Sequence, residues 1–314
     1  MTGTSSLSTS SERAEDRARN GVVAALLAYT MWGFLPIYIK IVEAVPSLEV
    51  LSHRIVWGVP FGALIIVARR QWPEVRDALT HPRTLGLLGL AAFFIALNWL
   101  VYIIAVQSDQ IFQASLGYYI NPLMYVLIGV VFIGERLRRN QTVAVLLAAA
   151  GVTVLTVSGG QFPLISLTLA TSFTIYGVIR SRVAVGGMPG LFIETLILLP
   201  LAGAWLAWNI HAGSAFFEPG EPAMAMWLML AGPITVLPLL CFALAARRLR
   251  LSTIGIMQFI APSLQFLMGL LYGERLTGAH AVCFTLIWIA VVLFSWDAWR
   301  WSRHREPVPV ADLP

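Results

Sequence analysis

Lys40, His53, Arg54 and Glu194 stand inside long apolar runs or at their ends. A charged side chain at the centre of a membrane costs at least ~2.5 kcal/mol, so such residues face a partner or a polar path. Lys40 lies near Glu43 and Glu49 in sequence, and Arg54 follows closely. Snorkelling, or pairing with those carboxylates, is the structural account of both cations. Glu194 has fewer escapes. Alone, it could exchange a proton or hold a cationic group, a coupling role; paired with Arg180 or Arg182 it would be a structural ion.

Uncharged polar and aromatic residues also fall inside apolar runs. Asn98 and Tyr102 are one helical turn apart. Tyr118, Asn121 and Tyr125 share one helix face, around an Asn121-Pro122 pair; Gln258 and Gln265 take the equivalent face around Ala261-Pro262. A mid-helix proline frees a backbone carbonyl, which must find a partner in protein or cavity water. Trp32-Gly33 and Tyr176-Gly177 pair a ring with a residue that lets another backbone approach. These residues fit a solute cavity as well as helix packing bonded by amides. The expected substrate-binding set is Trp32, Asn98, Tyr102, Tyr118, Asn121, Tyr176, Gln258 and Gln265, with Asn98, Tyr118, Asn121, Gln258 and Gln265 lining one central cavity.

The elements that must position these residues are membrane helices. Hydrophobic residues make up 58% of the 314 and charged residues 12%, where a soluble domain carries roughly a quarter charged residues. Mean hydropathy is +0.77. Ten apolar runs are long enough to span, near 21–41, 49–68, 84–106, 111–133, 141–158, 162–182, 188–208, 223–246, 252–273 and 278–298. Residues 1–20 read as a disordered polar tail without the apolar core of a signal peptide, and residues 300–314 as a second tail. With both termini cytoplasmic, all Lys and Arg except Lys40, Arg54 and Arg275 sort to the cytoplasmic side. The other side has an acidic loop with Glu218 and Glu221. The excess of positive charge is therefore topological and does not point to nucleic acid. Cys241 and Cys283 sit in apolar runs and read as small core residues.

The halves resemble each other. Leu97, Ala105, Ile120 and Pro122 align with Leu237, Ala245, Ile260 and Pro262. After a one-residue gap, Gly134-Glu135-Arg136-Leu137 aligns with Gly273-Glu274-Arg275-Leu276. Residues 21–158 and 159–299 then form repeats of five helices each, an odd number, so the second is inverted in the membrane. Inverted repeats are typical of secondary transporters, whose sites lie at the repeat interface. Gly134 and Gly273 suit the residue after a helix end, and Glu135 and Glu274 the start of the helix that follows.

The segments AYTMWGFLPIYIK, LSHRIVW, LNWLVYIIAV, ASLGYYINPLMYVLIGVVFIGERLRR and LSTIGIMQFIAPSLQFLMGLLYGERL resemble RarD-type proteins. These are bacterial members of the EamA branch of the drug/metabolite transporter superfamily, and the likeness covers residues 20–300. It implies an all-α permease of two EamA repeats in the bacterial inner (plasma) membrane. The family is associated by name with chloramphenicol sensitivity, which fixes no ligand. The function expected is transport of a small organic solute or drug-like metabolite by alternating access, as a secondary carrier. A channel or a non-transporting membrane protein is the alternative. The sequence has no Walker motif, no HExxH and no Ser/His/Asp grouping at membrane depth, so neither ATP hydrolysis, an enzyme activity nor a cofactor is expected. The partners are the lipid bilayer and the solute; monomer and homodimer both remain open.

Overall fold

The computed structural model describes residues 5–128, 130–131, 138–160, 162–216, 222–249 and 251–304, and every regular element among them is helical. Gly134 to Leu137 of the first repeated motif, Glu218, Glu221, Arg250 and residues 305–314 lie outside the described residues. In chain order the elements are α1 (Ser5–Gly33), α2 (Leu35–Ile41), α3 (Ser47–Ala68), α4 (Trp72–Thr80), α5 (Pro82–Gln107), α6 (Ile111–Ile128) and α7 (Arg139–Gly159). The second half contains α8 (Leu164–Ser181), α9 (Gly187–His211), α10 (Pro222–Ala246), α11 (Leu251–Met257), α12 (Ile260–Leu271) and α13 (Gly278–His304). Among the described residues, ten stretches are long and apolar enough to cross a membrane. Their ends fall within a few residues of those read from hydropathy, apart from the fourth, whose continuous described stretch reaches only Ile128. α1 begins at Ser5, within the polar tail. Its Glu, Ala and Arg residues are good helix formers, and the membrane helix beyond them supplies the nucleus.

Two helix breaks fall next to prolines, while Pro60, Pro122, Pro200, Pro233 and Pro238 lie inside continuous helices. Pro36 separates α1 from α2 at Phe34, and Pro262 separates α11 from α12 at Gln258-Phe259. Each removes the N–H that would bond the carbonyl four residues earlier, Trp32 and Gln258 respectively. α6 stays continuous through Pro122, unlike its counterpart in the second half. Packing on two sides holds it. A Cβ on Gly117 would lie 2.8 Å from the Ser166 carbonyl oxygen of α8, and the Ser115 hydroxyl donates to the Pro262 carbonyl at 2.8 Å.

The halves interleave. α3 packs on α9 and α10, α5 and α6 on α8, α1 on α10 and α12, and α7 on α13. A glycine marks several crossings. A Cβ on Gly33 would strike the Leu264 side chain, one on Gly232 the Trp57 carbonyl, and one on Gly177 the Tyr125 hydroxyl. Free Cys283 is buried in the core shared by α6, α7, α12 and α13, and free Cys241 is half-buried.

Candidate functional site

Arg54 is the sharpest feature of the interior. It lies on the second turn of α3 and is 4% exposed. Its Nε donates to the Thr235 hydroxyl of α10 at 3.0 Å, and its guanidinium carbon lies 4.8 Å from the centre of the Trp99 ring of α5. The tyrosines that act on it electrostatically are Tyr38, Tyr102 and Tyr118. Tyr38 donates to the Trp227 carbonyl at 3.1 Å, and Tyr118 to the Asn98 Oδ1 at 3.2 Å. Asn98 is fixed in turn, its Nδ2 donating to the Leu169 carbonyl at 3.0 Å and the Ser172 hydroxyl at 3.1 Å. Arg54 Nη1 and the Tyr102 hydroxyl have no protein partner among the described residues.

A row of rings leads away from this cluster. Tyr102 and Tyr118 are 5.9 Å apart by centroid, Tyr118 and Phe173 6.2 Å, and Phe173 and Tyr176 6.0 Å. Tyr176 ends the row by donating to Glu194 Oε2 at 3.3 Å. Glu194 is fully buried, and Arg180 Nε lies 3.3 Å from its other oxygen. Arg180 also donates through Nη2 to the carbonyls of Val185 and Gly186, both at 3.2 Å. Gly190 makes room for this, because a Cβ there would strike the guanidinium. Of the two arginines considered in sequence, Arg180 is therefore the one that pairs with Glu194.

The remaining candidates sit elsewhere. Gln265 Nε2 donates to the Trp32 carbonyl at 3.1 Å, the carbonyl that Pro36 leaves without its helical donor. The Trp32 ring packs against Tyr29 and Phe242, at 5.6 and 5.8 Å. Asn121 is buried in α6 with Oδ1 unpaired among the described residues. Half-buried Gln258 marks the break between α11 and α12. Lys40 pairs with Asp109 at 2.6 Å and Glu43 at 2.8 Å, and does not use Glu49. Glu49 accepts from the Phe216 N–H at 2.8 Å and stands 3.9 Å from His53 Nε2. Gly273, at φ +84°, closes α12 with the reciprocal bonds of a Schellman turn, Glu274 N–H to Gly269 and Gly273 N–H to Leu270. Glu274 does not serve the helix after it. Its carboxylate accepts from the N–H groups of Ile111 and Phe112 and so caps α6. The turn that ends α12 aims it across the fold at an N-terminus with free donors. Burial pushes its carboxyl above the ordinary range, opposed by those two N–H bonds.

Comparison with known proteins places this architecture. Residues 19–157 match the model of the EamA-like transporter family. An uncharacterized transporter of Vibrio cholerae serotype O1 is 45% identical, over 89% of this chain and 93% of its own length. Protein RarD of Salmonella typhi is 44% identical over 92% and 99%. The chain belongs to the EamA-like transporter family. It is a RarD-type member and a multi-pass membrane transporter of the drug/metabolite superfamily. A Pseudomonas aeruginosa protein named chloramphenicol-sensitive protein RarD is 36% identical over 91% of this chain and 96% of its own. A solved crystal structure, 20% identical, covers 90% of the chain with a TM-score of 0.58 and agrees in fold.

In this RarD-type chain the sequence reading missed Tyr38, Trp99, Thr235 and Phe173. Trp99 was within reach, since it precedes Tyr102 by three residues and so shares its helix face. Thr235 and Phe173 look like ordinary helix residues until α10 and α8 are placed. A groove of about 280 Å³, lined by Phe94, Leu97, Leu167, Thr168, Thr171, Ser172 and Ile175, reaches the site through Ser172, which bonds Asn98.

Proposed function

We propose that this chain is a secondary carrier that moves a small organic solute across the bacterial inner membrane by alternating access. In this reading both termini are cytoplasmic and residues 159–299 repeat residues 21–158 in inverted orientation. The observation that carries it is the row Tyr102, Tyr118, Phe173 and Tyr176, with buried Arg54 at one end and the Glu194–Arg180 pair at the other. Rings at this spacing give a solute a stepwise apolar surface, and buried ions are retained in membrane proteins where a path needs them. Asn98, Tyr102, Tyr118 and Tyr176 contact the solute. Trp32, Gln258 and Gln265 act at the two proline breaks, where helix halves move against each other, and Asn121 contacts the solute from the continuous α6.

Untargeted comparison of solutes inside and outside cells, with and without the protein, should name transported compounds. Purified protein in vesicles should then exchange such a compound at saturable rates that rise when it is present on both sides. Flux that is linear in concentration and insensitive to the far side would mean a channel; no flux at all would mean a non-transporting membrane protein. Glu194 is the coupling residue in this reading, its bond to Arg180 opening when a proton or cationic group takes Arg180's place. Glu194→Gln should therefore still exchange solute but no longer accumulate it against a gradient. Accumulation with unchanged pH dependence would make Glu194 structural.

A further inference from the structure

We propose that Arg54 binds the charged group of an anionic solute, a small organic monocarboxylate with a flat apolar body. The proposal deepens the carrier reading and rests on it for transport, though not for binding. Arg54 lies about 10 Å along α3 from its start, at 1.5 Å per residue, and a guanidinium keeps its charge in any protein setting. Burial of such a charge is stable only with a counter-charge or full hydrogen bonding. The protein supplies neither in full. One neutral hydroxyl, Thr235, accepts from Nε; the Trp99 face covers the guanidinium; Nη1 has no protein acceptor among the described residues.

Of the carboxylates nearest in sequence, Glu43 pairs with Lys40, and Glu49 accepts the Phe216 N–H through Oε1 while its Oε2 has no hydrogen-bond partner among the described residues. No described carboxylate comes within the 4.0 Å of an ion pair with Arg54. Tyr102, which acts electrostatically on Arg54, is 2% exposed, and its hydroxyl is also without a hydrogen-bond partner among the described residues. The hydroxyls of Tyr38 and Tyr118 already donate, to the Trp227 carbonyl and to Asn98. Two buried polar groups without a protein partner among the described residues, a guanidinium N–H and a tyrosine hydroxyl, thus belong to one electrostatic cluster with no carboxylate paired to its cation.

A carboxylate is the complementary group. It accepts only, it can take N–H and O–H donors on its two oxygens, and its single charge matches the single charge of Arg54. A dianion would leave one charge buried and unbalanced. The Tyr102, Tyr118 and Phe173 rings beside the cluster suit a flat apolar body.

The test uses the purified full-length protein in lipid nanodiscs. Thermal unfolding and tryptophan fluorescence are followed with benzoate, phenylacetate and butyrate, each against its neutral amide, with chloride as the salt control. At least one carboxylate should bind and stabilise, and its amide should bind about tenfold more weakly or worse. Arg54→Gln should abolish that preference. Tyr102→Phe keeps ring and guanidinium and covers the case where Arg54→Gln does not fold; it should weaken the carboxylate several-fold and leave the amide unchanged. Amides that match their acids, the absence of binding by every carboxylate, or undiminished carboxylate binding by Arg54→Gln would each overturn the proposal. Vesicle exchange separates it from the carrier reading. A carboxylate that binds through Arg54 but is not exchanged overturns the carrier and leaves the anion site standing. Saturable exchange that Arg54→Gln leaves unchanged overturns the anion site and leaves the carrier.

Discussion

Single residues in this chain are explained by where their partners lie. Glu194 and Arg180 form a buried pair, and removing one partner of such a pair costs about 3–5 kcal/mol because the other charge stays behind. Arg180→Gln should therefore lower the midpoint of thermal unfolding more than Arg182→Gln, whose side chain is exposed. Gly190→Ala should act in the same direction by pushing the guanidinium off Glu194. Glu274 predicts a pH effect. Its carboxyl is raised above the ordinary 4.5, so the folded state holds the proton more tightly than the unfolded chain. That contribution is present at low pH and is lost as pH rises through the folded-state value. Stability of the parent measured against Glu274→Gln should accordingly decline as pH increases past about 4.5. Glu194's partner was legible because α8 and α9 are neighbours in sequence. The isolation of Arg54 was not, because Glu43 and Glu49 look available until Asp109 and Phe216 are brought to them or their partners by distant turns.

Helices explain the amides. Gln265 reads as a solute ligand in sequence, since it faces inward beside a proline. The structure gives its Nε2 to Trp32, 233 residues away, at the carbonyl that Pro36 releases. Hydropathy locates both helices but says nothing about which carbonyl meets which amide. Gln265→Ala should cost about 1–3 kcal/mol through that buried carbonyl. In a Pro36→Ala background a regular helix can form across the break, and the cost should shrink. A double-mutant cycle on unfolding measures the difference; equal costs in both backgrounds would separate Gln265 from the break. The same view accounts for Pro122. The sequence repeat suggests matching breaks in both halves, yet α6 runs on because Gly117 and Ser115 lock it to α8 and α12.

At the scale of the whole molecule, the number and position of the spans were readable from hydropathy alone, because about 30 Å of hydrocarbon demands about twenty apolar residues wherever it is crossed. The pairing of helices between halves was not readable, because membrane helices meet through small residues and polar bonds too sparse to form a pattern. Orientation rests on the sorting of Arg and Lys, and it predicts labelling. In a variant lacking Cys241 and Cys283, a cysteine placed at Ser214 should react with an impermeant thiol reagent from outside the cell, and one at Arg139 should not; the reverse pattern would invert the molecule. The account as a whole stands on the ring row being a path reached in turn from each side. Phe173 lies midway along that row, between Tyr118 and Tyr176. The direct measurement is the reactivity of Phe173→Cys, in the same cysteine-free protein in sealed vesicles, with a small water-soluble thiol reagent added to one side at a time. The account predicts labelling from either side, slowed by a transported solute, with no reagent crossing to the far compartment. A cysteine at that position that stays unlabelled from both sides in fully active protein would contradict it.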